Sequence, residues 1–125
     1  MERYDDSYGL RDDLYATTLV LSDGATETVL ISLDVLSVHP ELVRRVAEQV
    51  EAQLHIPNQN LLLCATHCYS GPATYVYTDS PLLNIAYVDN LVHLLVGLVR
   101  IAQAGWSQPA WALAMGNLQS ESTAA

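Results

Sequence analysis

The stretch Cys64-Ala65-Thr66-His67-Cys68-Tyr69-Ser70-Gly71-Pro72 gathers two thiols, an imidazole, a phenol and two aliphatic hydroxyls into nine residues. An imidazole serves as a metal ligand or as a proton acceptor near neutral pH. A thiol serves as a nucleophile or a soft ligand. The segment begins inside an apolar run, Leu61 to Ala65, and closes on Gly71-Pro72. A strand that empties into a turn is where reactive side chains collect on α/β sheets. The bare pattern also admits plainer roles. A lone histidine after a strand is commonly structural, and Tyr69, Tyr75 and Tyr77 can be packing residues with a wet hydroxyl.

The elements around this stretch can be read from periodicity and turn chemistry. Leu14 to Leu21 has strand composition, Ser22-Asp23-Gly24-Ala25 is a turn signal, and Glu27 to Leu33 carries the continuous run Val29-Leu30-Ile31 of a buried strand. These two strands predict an antiparallel N-terminal hairpin. Pro40 opens a helix whose residues Leu42, Val43, Val46, Ala47, Val50 and Leu54 recur at helical spacing, with Glu41, Arg44, Arg45, Glu48 and Glu51 between them. His39 and His55 flank it as solvated or capping residues. Leu61 to Ala65 is the third strand. Ser80-Pro81 starts a second, nearly all-apolar helix to about Ala104, with a polar stripe of Asn90, His93, Gly97 and Arg100. Asp89 and His93, four apart, read as a surface pair. Pro109 leads into a fourth strand, Ala110 to Met115.

The expected fold is therefore α/β: a mixed, mostly parallel sheet of about four strands, with an N-terminal hairpin and two packed helices. Residues 1–13 read as an irregular lead-in, 14–116 as the α/β domain and 117–125 as a tail. A strand, a helix and a strand in succession make a parallel crossover. Ligands on such sheets bind beyond the carboxyl ends of the strands. Asp34 follows the second strand and Thr66-His67 the third, so Asp34 and His67 are expected to meet under the tyrosine-bearing loop. Asp34 is then the group that orients His67 or a nearby donor. Its plainer role is to cap the loop into the next helix.

Composition narrows the partners. Fourteen Asp and Glu face five Arg and no Lys, a formal charge of −9. Such a chain repels phosphate, so nucleic acid and anionic membrane surfaces are excluded as expected partners. Met1 is followed by polar and charged residues, so no secretory signal is read here, and Leu91 to Ala102 is too short and too interrupted for a membrane span. Cys64 and Cys68 stand roughly 13 Å apart on an extended chain, beyond disulfide reach. Cys64 reads as a buried thiol.

One resemblance covers nearly the whole chain, from about Gly9 to the region of Gly116. Leu33-Asp34-Val35-Leu36, the Pro40-Glu41-Leu42-Val43 helix start, the Ile56-Pro57 entry and Ala65-Thr66-His67-x-x-Ser70-Gly71-Pro72 resemble the N-terminal domain of neutral/alkaline non-lysosomal ceramidases. Asp13-Leu14-Tyr15-Ala16 and Leu19-Val20-Leu21-x-Asp23-Gly24 are similar too. The most specific piece is the family's Thr-His-x-His-Ser-Gly-Pro motif. The resemblance implies zinc-dependent hydrolysis of the amide of ceramide, or of a ceramide-like lipid, to sphingosine and a fatty acid. It implies that His67 is a zinc ligand. The motif's second histidine lies at the substrate side, and here that position is Tyr69. A phenol donates a hydrogen bond but does not shuttle a proton near neutral pH as an imidazole does. The family's other ligands, a second His, a Glu and a Tyr, belong to later segments.

The expectation from this resemblance is a fragment of a zinc amidohydrolase of sphingolipid metabolism that is inactive by itself. A second expectation is a non-catalytic relic or interaction module of the same fold, self-associating through exposed apolar faces. A third is a small-ligand domain using the same crevice. The ordered match around His67 puts the first expectation in the lead, while Tyr69, the absent ligands and the nearly all-apolar second helix support the second. A downstream ligand set would favour the first.

Overall fold

A computed structural model of the chain describes residues 11–74 and 85–105, and the backbone of 111–117. Strands β1 (Tyr15–Ser22) and β2 (Glu27–Leu33) form the expected hairpin, in register from Ala16 opposite Leu33 to Ser22 opposite Glu27. Its turn is built from the sequence signal. The Asp23 carboxylate accepts from the Ala25 and Thr26 amides at 2.9 and 2.7 Å, and Gly24 takes φ +92°. Those two amide bonds, Thr26 first, hold the Asp23 carboxyl below its ordinary range.

Helix α1 (Pro40–Leu54) follows. His39 caps it, Nδ1 accepting from the Glu41 amide at 3.1 Å. His55 ends it at φ 61°, its own amide bonded to the Glu51 carbonyl. Both histidines thus do the capping work read from sequence. Arg44 reaches Glu41 and Glu48 on the solvent face. These exposed pairs add little stability.

After a short 3-10 turn comes β3 (Leu61–Ala65), parallel to β2 with Leu63 beside Ile31. Helix α2 (Ile85–Ala104) and β4 (Trp111–Asn117) complete the order. Asp89 bonds to Arg45 of α1 at 2.7 Å rather than pairing with His93, so it ties the two helices together. The stripe Asn90, His93 and Arg100 faces solvent, with Gly97 half-buried. Residues 1–10 of the expected lead-in (residues 1–13), Tyr75, Tyr77, the Ser80-Pro81 start of α2 and Leu118 to Ala125 lie outside the described residues.

The sheet order is β3-β2-β1-β4. The chain is mixed α/β, as expected, but the sheet is not mostly parallel. β2, β3 and β4 run in one direction, yet the reversed strand β1 sits between β2 and β4, so two of the three pairings are antiparallel. Local order announces a parallel crossover but not where the hairpin's first strand inserts.

Both helices cover one face of the sheet. Ala16, Thr18 and Val20 of β1, Val29, Ile31 and Leu33 of β2, and Leu63 of β3 are buried against Leu42, Val46 and Val50 of α1 and Leu91, Val92, Leu95 and Val99 of α2. By length and composition α2 could cross a membrane, contrary to the shorter run read from sequence. Eight of its residues, Tyr87 to Ala102, instead spend their apolar surface inside this core. Among the described residues nothing covers the opposite sheet face. Leu21 and Leu62 are exposed on it, with Leu19 and Leu30 half-buried.

Candidate functional site

The carboxyl ends of β2 and β3 lie side by side, as the parallel crossover requires. Pairing continues past the strands. The Thr66 amide donates to the Leu33 carbonyl at 2.8 Å, and the Cys68 amide to the Val35 carbonyl at 3.0 Å. Leu33 and Val35 are fully buried, so Asp34 between them is fixed in place. Its carboxylate accepts from the Tyr15 amide at 3.0 Å and from the Thr66 hydroxyl at 3.1 Å. Asp34 and His67 thus share one end of the sheet, but no hydrogen bond joins them. Of the two partners expected for Asp34, the nearby donor is the one found: it steadies the residue before His67 and ties that loop to β1.

His67 is positioned by its backbone and by a carbonyl. Its φ is +67°, a left-handed conformation that histidine adopts more readily than most residues. This turns the ring toward the loop after β2, where Nδ1 sits 2.9 Å from the Leu36 carbonyl oxygen. A carbonyl only accepts, so Nδ1 carries the proton and Nε2 keeps its lone pair. Tyr69 is 50 % exposed and its hydroxyl lies 3.0 Å from Nε2. Leu36 is a partner that sequence reasoning misses, because a main-chain carbonyl has no side-chain signature.

The end of the motif holds this loop down. Gly71 is buried, and a Cβ on it would stand 2.9 Å from the Asp34 carbonyl oxygen and 3.2 Å from Leu14 Cδ1. Only glycine lets the loop approach β2 so closely. Thr74 donates to the Ser37 carbonyl at 2.9 Å.

Cys64 corrects a sequence reading. It is exposed on edge strand β3, not buried, with its thiol donating to the Ile31 carbonyl at 3.4 Å. Cys68 is half-buried and both thiols are free. The run Leu61 to Ala65 is apolar on both faces, and among the described residues nothing covers the outer one.

Among the described residues, no group of three or more His, Cys, Asp or Glu is gathered that could hold a metal ion. A catalytic zinc takes three protein ligands and an open position, so the described residues do not make a complete zinc site. An open depression of about 510 Å³ runs along α1 between Pro40, Val43, Arg44, Ala47, Glu48 and Asn58, and none of Asp34, His67 or Tyr69 lines it.

Fold and site together define a two-layer α/β unit that presents one oriented imidazole at the carboxyl ends of two parallel strands. No family model, curated protein or solved structure matches the chain.

Proposed function

We propose that this chain carries part of the N-terminal domain of a zinc-dependent amidohydrolase resembling neutral ceramidase, with a ceramide-like lipid amide as substrate class. In this reading His67 is one metal ligand, Tyr69 stands at the substrate side and Asp34 steadies the loop. The observation that carries the reading is the motif Thr66-His67-x-x-Ser70-Gly71-Pro72, seated so that Nδ1 is anchored on Leu36 and Nε2 turns outward. Metal-ligating histidines are commonly anchored through their other nitrogen in this way. When bound, zinc would supply Lewis acidity and an activated water. The remaining ligands would come from polypeptide other than the described residues.

Two departures temper the chemistry assigned to this chain. Tyr69 replaces the imidazole of the family motif, so the described residues place a phenol rather than a second imidazole beside His67. One ligand also leaves a metal with most of its waters, which weakens both affinity and water activation. Purified chain dialysed against zinc and incubated with a fluorescent ceramide is expected to keep no stoichiometric metal and to release no fatty acid. Stoichiometric zinc that survives dialysis and vanishes in His67→Ala, together with turnover, would mean that the chain is a complete enzyme.

A second reading, an interaction module without catalysis, is supported by the open sheet face. Tyr15, Leu21 and Leu62 are 42 %, 39 % and 56 % exposed there, on strands whose continuous apolar runs suit a sheet buried on both sides. This reading predicts self-association in light scattering and binding of a hydrophobic dye. A clean monomer that binds no dye removes it.

A further inference from the structure

The imidazole of His67 is held from behind and covered from the front. Behind it, the Leu36 carbonyl fixes the proton on Nδ1. In front, the Tyr69 hydroxyl at 3.0 Å has only the Nε2 lone pair to meet, so the phenol donates. The two rings meet edge to face, with centroids 4.9 Å apart and planes at 79°. Both residues are exposed, so the covering is done by one hydrogen bond and one ring rather than by burial.

The two halves of this clasp differ in firmness. The chain on either side of His67 is pinned by main-chain bonds to Leu33 and Val35, and the left-handed backbone at His67 sets the ring's direction. Tyr69 lies two residues on, and among the described residues its side chain meets His67 through its hydroxyl and its ring. A half-exposed phenol swings away at the cost of one hydrogen bond, whereas moving the imidazole also gives up its bond to the Leu36 carbonyl.

We propose that Tyr69 is a displaceable cap on His67, a positioning residue that decides what the imidazole binds. Nε2 is the one lone pair that the ring offers. Any Lewis acid, or any ligand that would donate a proton to Nε2, reaches it only by displacing the phenol. This deepens the site described above but needs no metal, so it stands or falls separately from the zinc reading.

Acylation of histidine lone pairs by diethyl pyrocarbonate tests the cap. The intact chain and its Tyr69→Phe variant are treated at one fixed, mildly alkaline pH, and the modified histidines are resolved by mass spectrometry. Tyr69→Phe keeps the ring and removes the hydroxyl. His67 is expected to react about fivefold faster in the variant, the factor that one ordinary hydrogen bond represents, while His39, His55 and His93 keep their rates. In the unmodified chain, 15N spectra of the His67 ring are expected to place the proton on Nδ1. An unchanged rate at His67 overturns the proposal, and so does a proton on Nε2. A rise shared by all four histidines also counts against it, because it reports an opened chain rather than a freed lone pair.

Discussion

Leu33→Ala is expected to cost about 2–5 kcal/mol of stability, the range for truncating a large buried aliphatic side chain. Leu33 is 0 % exposed and closes the site end of β2. It stands in register with Ala16 of β1 and Ala65 of β3, and its carbonyl receives the Thr66 amide. Small neighbours on both sides leave little that can collapse into the space, which places the cost in the upper part of the range. Leu33→Met fills most of the volume and is expected to lose less than about 1.5 kcal/mol. Urea midpoints of the two variants measure the difference. Equal, small losses would mean that this end of the sheet is not packed as described.

Alkaline pH should destabilise the fold through Tyr87. This residue is 5 % exposed on α2, and burial pushes its phenol up from 10.0 to about 12. A raised folded value means that the fold holds the proton more tightly than the unfolded chain does. The stability this represents is complete below about pH 10, where both states keep the proton. It is lost as pH rises toward about 12, because only the unfolded chain then gains by ionising. Two pH units at ~1.4 kcal/mol each give a loss of about 2–3 kcal/mol. Tyr87→Phe removes the titrating group while leaving every other tyrosine in place. Urea midpoints at about pH 9 and about pH 11.5 should therefore diverge for the parent chain and converge for the variant, apart from changes the two share. Identical losses in both would show that Tyr87 ionises as freely in the fold as outside it.

The parts of this structure that local chemistry determines were legible in the sequence. Asp23-Gly24 specified the hairpin turn through two side-chain acceptor bonds. Pro40 and the apolar spacing specified α1, and Leu61 to Ala65 matched β3 at both ends. Even the meeting of the Asp34 and His67 segments followed from the crossover. What was not legible depends on contacts between distant elements. The reversed strand β1 lies between β2 and β4, which no local periodicity reports. Cys64 was read as buried because its neighbours are apolar, whereas its exposure depends on which sheet face it occupies: Leu63 on the same strand is buried under the helices, and no described element covers the face that carries Cys64.

The site shows the same division. The residue types from Thr66 to Pro72 were evident, and so was the departure at Tyr69. The bond between Tyr69 and His67 was not. Two residues apart on a strand would place them on one face, but their contact arises from the positive φ at His67. The tendency of histidine toward that conformation was an available signal, and it applies to His55 as well. The Asp34 bond to Thr66 could have been anticipated from the same register that aligned Leu33 with Ala65.

The role proposed for His67 Nε2 is that of one metal ligand at an incomplete site. A zinc titration of the purified chain, followed by 15N signals of all four histidine rings, tests it at the atom concerned. The predicted result is that His67 Nε2 shifts first, with an affinity too weak to survive dialysis, while His39, His55 and His93 respond later or not at all. A titration in which zinc moves the other rings and leaves His67 unchanged would contradict the account.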